Sequence, residues 1–210
     1  MTRRNGRMLD FASGWTLILA AACGFGLPAA QAADAWADFR GDLIALHEKV
    51  IGARPLRIER GEVLPFDGVA AKGFSYQDID YYDPPSGRLI GHVRRSPVEP
   101  YQNYEIEVYV HDAAGRVIRD YAALTLPWQV EHPVRTYINL HDYPGELHAI
   151  RQFDASGEIN YESCVGTLNG RKMNLQLESF EVGPKLRATP DYQACFGRLP
   201  LEPGPYLKPR

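Results

Sequence analysis

His132, His141 and His148, with Asp142 beside the second, form the densest group in this chain able to hold a metal or move a proton. His141 and His148 flank Tyr143-Pro144-Gly145-Glu146, so a symmetric β-hairpin sets the two imidazoles opposite one another. Two neutral imidazole nitrogens suit zinc or copper, and a third ligand from a neighbouring strand, His132 or His111, would complete a site. Asp142 is a poor third ligand, because alternation along a strand points its side chain to the other face. The competing reading is a pair of solvent-side histidines that share no ligand and need no cofactor.

A second group is acidic and aromatic. Glu105 and Glu107 share one strand face, but a glycosidase-like carboxylate pair also needs a cleft and a set separation. The hairpin around Asp112 and Gly115 allows a register to be written. A type I turn with Gly115 as the left-handed bulge residue pairs Asp112 with Arg116, Val110 with Ile118 and Ile106 with Ala122. Glu105, Glu107, Tyr109 and His111 then share a polar face with Arg119 and Tyr121. Asp120 falls opposite Val108 on the apolar face, where a carboxylate must find donors or open onto a pocket. Tyr109, Tyr121 and Asp120 are therefore the candidates for contact with a ligand or partner, since tyrosine offers rigid amphipathic surface.

Other chemistries lack their signatures. There is no G-x-G-x-x-G or G-x-x-x-x-G-K-[ST] to cradle a phosphate, and no G-x-S-x-G, H-E-x-x-H or C-x-x-C-H. No basic patch interleaved with aromatics suggests nucleic acid, and the net charge of -3 gives no general attraction to it.

The elements that must carry these residues begin with a leader. Arg3, Arg4 and Arg7 precede an apolar run from Trp15 to Leu27, and Ala30-Gln31-Ala32 offers a small-x-small cleavage site, the layout of a secretory signal peptide over 1–32. A twin-arginine route is disfavoured by Asn5, Gly6 and Arg7 after the arginine pair. Cys23 after Ala20-Ala21-Ala22 loosely resembles a lipidation box, although the position three before it is Ala rather than a bulky aliphatic. Cleavage removes three arginines and Asp10, leaving 178 residues with 20 basic and 25 acidic side chains. Cys164 and Cys195 remain, an even pair that an oxidising compartment would join as a disulfide.

Within the body, Trp36, Phe39, Leu43, Leu46 and Val50 recur at helical spacing, which predicts an amphipathic helix from Asp34 to Val50 within an N-terminal segment 33–57. His47 lies beside that stripe and reads as a helix-surface residue. From Ile58 to 183 the period changes to two. Asp83 to Gly87, Asp112 to Gly115 and Asp154 to Gly157 each place Asp before Gly at a hairpin turn. The expectation is a mainly β fold, an antiparallel meander curling into a curved sheet, half-barrel or small barrel, with a β-sandwich as alternative. The last hairpins put Cys164 across from His148 and Phe153 across from Ile159. Residues 184–210 form a disulfide-tethered, Pro-rich segment with a short helix from Asp191 to Phe196 after the Thr189-Pro190 cap, then an extended, mobile tail.

Together these features suggest a periplasmic or secreted binding or accessory domain rather than an enzyme. It would act through contacts with an exported protein or a small ligand, with no transmembrane segment after cleavage. The alternative is a metal-binding or metal-dependent protein using the histidines.

Overall fold

The computed structural model describes residues 29–66, 72–130 and 132–210; most of the segment 1–32 expected to be a leader lies outside the described residues. A helix, α1 (Ala29–Gly52), precedes nine strands: β1 (Arg57–Pro65), β2 (Ser75–Asp83), β3 (Arg88–Arg95), β4 (Asn103–His111), β5 (Val117–Leu124), β6 (Arg135–Asp142), β7 (Glu146–Phe153), β8 (Ile159–Leu168) and β9 (Arg171–Glu178). They pair antiparallel in chain order as one meander sheet that does not close into a barrel. A single sheet also replaces the sandwich alternative. Two short helices follow, α2 (Pro184–Arg187) and α3 (Pro190–Phe196). No helix among the described residues is long and apolar enough to cross a membrane.

The three Asp-to-Gly junctions are the hairpin turns their sequence implies. Gly87, Gly115 and Gly157 all have positive φ, and the Asp112 and Asp154 side chains accept backbone N–H groups of Arg116 and Glu158. Each turn reverses the chain into the neighbouring strand, so nearest-neighbour pairing follows without crossovers.

The helices pack on one face of the sheet. Phe39, Leu43 and Leu46 of α1 are buried with Ile106, Val108, Tyr121, Ala123 and Ile138 in one apolar cluster. Full burial of a side chain of this size contributes about 1.5–3 kcal/mol, so this stripe fixes which face of the sheet is covered. Further along, α3 lays Tyr192, Cys195 and Phe196 into the same cluster, and Thr189 caps it by accepting the Tyr192 N–H. Cys164 and Cys195 stand at disulfide distance, with Cα atoms 5.9 Å apart.

Three expectations need correction. The helix starts at Ala29 rather than Asp34, which leaves Asp34 inside its first two turns. His47 is 6% exposed, packed edge-on to Tyr81 over Gly91, where a Cβ would sit only 3.2 Å from the imidazole. The tail is not extended and free: Pro203 and Pro209 are buried, Gly204–Leu207 form a 3-10 turn, and the Leu199 and Pro200 carbonyls accept from Arg151.

Candidate functional site

The face away from the helices carries the polar chemistry, and its layout is set by one bulge. The Asp112 turn forms as expected, but the β4–β5 register shifts between Val110 and His111. Tyr109 therefore faces Asp120, and Val108 faces Tyr121. A one-residue slip exchanges faces. Tyr121 is 1% exposed against Phe39, so it is a core residue rather than a surface tyrosine. Asp120 moves the other way, out of the apolar side and onto the polar face beside Tyr109.

From Tyr109 a line of cross-strand partners runs across the sheet: Asp120, Asn139, Gln152, Tyr161 and Glu178. Asn139 Nδ2 donates to Asp120 Oδ2 at 2.7 Å, and Gln152 Nε2 donates to Asn139 Oδ1 at 3.0 Å. Four strand steps separate Tyr109 from Tyr161, about 19 Å at the usual inter-strand spacing. Asn139 and Gln152 escaped the sequence reading. Their signal was alternation: Asn139 stands two residues from Tyr137 and from His141 on the same face, and Gln152 stands four residues from His148 on its own.

His141 and His148 do meet, though not as opposite partners. The hairpin pairs His141 with Ile150, placing the two histidines diagonally on one face. His141 Nδ1 lies 2.9 Å from His148 Nε2, and His141 Nε2 lies 2.5 Å from Asp120 Oδ1. The hydrogen-bond pattern assigns the tautomers: Asp120 accepts from His141 Nε2–H, His141 Nδ1 accepts from His148 Nε2–H, and His148 Nδ1 is left as the basic nitrogen. Tyr143 stacks on His148 at 4.6 Å and donates its hydroxyl to the Val117 carbonyl. Burial lowers the His148 pKa, the adjacent His141 lowers it further, and Asp120 opposes both.

The other expected ligands stay apart. His132 is exposed, and His111 lines a separate hollow near Arg88, where burial and that guanidinium lower its pKa. Among the described residues no group of three or more His, Cys, Asp or Glu side chains is arranged to hold a metal ion. Cys164 faces Ala149 rather than His148, because the β7–β8 register shifts at Gln152 and Phe153, while Phe153 and Ile159 pair as expected. Asp142 accepts from Arg198, not from the histidines.

Toward β2 the same face is a lattice of ion pairs. Arg94 bonds Asp78 at 2.8 Å and approaches Glu105 at 3.3 Å, and His92 Nδ1 lies 2.8 Å from Asp80. Burial and the neighbouring Glu107 raise the Glu105 pKa, against the pull of Arg94. Glu107 also accepts the Tyr109 hydroxyl, and burial together with that carboxylate pushes the phenol's pKa up. Tyr109 consequently presents itself as a neutral, oriented ring.

No protein family, curated protein or solved structure matches the chain. Chemically, the face offers a fixed ladder of donors and acceptors between two tyrosines. The carboxylate–imidazole–imidazole chain could relay a proton, but among the described residues no hydroxyl or thiol nucleophile hydrogen-bonds to either ring.

Proposed function

We propose that this chain is an exported, non-catalytic binding domain that engages its ligand or partner on the face of the sheet opposite the helices. The observation that carries this reading is the hydrogen-bonded row Asp120–Asn139–Gln152, flanked by Tyr109 and Tyr161 on the face opposite the buried Phe39–Leu43–Leu46 stripe of α1. Polar groups locked to one another hold their geometry before a ligand arrives, which lowers the ordering cost of binding. The leader's layout and the Cys164–Cys195 pair support a periplasmic or secreted setting.

Site-specific photo-cross-linking in cells tests it, with a reactive side chain at Tyr109 or Tyr161 and a control at exposed Asp42 on α1. A discrete adduct is expected from the first two positions and not from the third. Absence of any adduct from the face, together with reproducible turnover of a substrate by the purified chain, would replace this reading with an enzymatic one.

A second reading rests on the histidine pair. Zn–N bonds of about 2.0–2.1 Å would hold two nitrogens about 3.3 Å apart at the tetrahedral angle, a few tenths beyond the observed hydrogen bond. Asp120 behind His141 is the outer partner that such ligands use to fix their tautomer. Zinc or copper titration of the wild type and the H141A/H148A variant decides it: equal, weak binding by both removes the metal.

A further inference from the structure

At its Tyr161 end the polar row opens into a cavity of about 500 Å3. Three aromatic side chains line it, Trp36 from α1, Tyr137 from β6 and Tyr161 from β8. All three are half-buried. Arg135, Asn160 and Glu178 add a guanidinium, an amide and a carboxylate to the walls.

Much of this polar capacity is unspent. Gln152 donates to Asn139, and Asp154 serves its own turn through Ser156 and Glu158. Among the described residues, no side-chain hydrogen bond engages Arg135, Asn160 or the hydroxyls of Tyr137 and Tyr161, and the Trp36 Nε1–H is buried without a partner. Unpaired donors next to aromatic faces ask for a ligand rich in groups that both accept and donate. An apolar ligand would leave them unsatisfied at a cost. An anionic ligand would meet one guanidinium, Arg135, against two carboxylates, Asp154 and Glu178.

We infer that this cavity is a carbohydrate-binding subsite, which takes a neutral sugar ring against Trp36 and Tyr161 while the glycan continues along the row toward Tyr109. Sugar hydroxyls both donate and accept, matching the guanidinium, amide and carboxylate. The C–H face of the ring is apolar and lies flat on an aromatic side chain. The volume falls in the range of small-molecule sites, about 300–1,000 Å3. This inference rests on the binding-domain reading and names its ligand class.

Isothermal titration of the full chain with cellohexaose, maltohexaose and chitohexaose, and with polygalacturonate as an acidic comparison, tests it. Saturable binding of at least one neutral hexamer is expected, weakened by about tenfold or more in Asn160→Ala and Tyr161→Ala. Asn160 has no side-chain partner to lose, so that variant keeps the fold, and Phe180→Ala, 87% exposed and outside the cavity, should bind as wild type. Failure of all three hexamers, preference for the acidic chain, or binding indifferent to both substitutions would overturn the subsite. Adducts from Tyr109 or Tyr161 despite such failure would leave the binding domain standing with a different ligand. Loss of both results would remove both.

Discussion

Arg151 on β7 and Glu162 on β8 face each other across the sheet at 2.5 Å, each with 1% of its side chain exposed, directly beneath the C-terminal segment. The remaining groups of this buried pair are satisfied from above. Tyr192 of α3 donates its hydroxyl to the Glu162 carboxylate at 2.7 Å, and Arg151 donates to the carbonyls of Leu199 at 2.5 Å and Pro200 at 2.8 Å. An ion pair therefore clamps residues 190–200 onto the sheet, on the side opposite the proposed binding face.

Removing one partner strands the other charge in a dry interior. Arg151→Met and Glu162→Leu are each expected to cost about 3–5 kcal/mol, read as a drop in the urea midpoint. Tyr192→Phe loses hydrogen bonds to a charged group and should cost less, about 1.5–3 kcal/mol. The double variant R151M/E162L should recover much of the single-variant loss, because no uncompensated charge remains. A double variant as unstable as the sum of the two would mean that Arg151 and Glu162 are not energetically coupled, and the ion pair would then not be the clamp.

The disulfide is the second clamp on the same segment, closing a loop of sequence separation 31. Reduction, or Cys164→Ala with Cys195→Ala, should cost about 3–4 kcal/mol through the freed unfolded chain. Hydrogen exchange should show 190–200 still protected after reduction, because Arg151 and Tyr192 keep their partners. Exchange of that whole segment at solvent rates in the reduced protein would show that the ion pair does not clamp it.

The meander was legible because its turns are local: an Asp whose side chain binds backbone N–H groups and a Gly at positive φ dictate a reversal within five residues. The binding row was only half legible. The sequence places a bulge near Gly115, but the added residue is absorbed at Ile118 between paired Val117 and Arg119, and this displacement turns Tyr121 inward and Asp120 outward. The histidine pair survives the register error because diagonal neighbours still touch. Arg151 and Glu162 went unseen, although Cys164 must face α3 to reach Cys195, and Glu162, two residues earlier, then points the same way. What sequence cannot supply is the inward partner from a strand eleven residues distant, which depends on the shift at Phe153.

His47 makes stability depend on pH. Burial lowers its pKa from 6.5 to about 4, so between those values the unfolded chain binds a proton that the folded chain refuses. Its contribution is fully present above the unfolded value, is lost as pH falls from 6.5 toward 4, and changes no further below. The loss is up to about 3 kcal/mol. Urea midpoints at pH 7 and pH 4.5 measure it. His47→Gln should flatten the difference, while an undiminished slope in that variant would assign it to other groups.

Asp120 bears on both readings of the polar face, because it holds one end of the histidine chain and one end of the amide row. Its negative charge raises the His148 pKa against the lowering by burial and by His141. Asp120→Asn removes that support, so His148 should titrate lower still in the variant. Nitrogen-15 NMR is the measurement, since it also reports which ring nitrogen carries the proton. In wild type at pH 7 the His148 ring should be neutral, protonated on Nε2 with Nδ1 free. The variant should also weaken whatever binds along the row, because Asn139 then loses a charged acceptor and with it the fixed orientation that Gln152 depends on. An unmoved His148 titration would break the proposed chain at its first link, and unchanged binding in the same variant would detach Asp120 from the site.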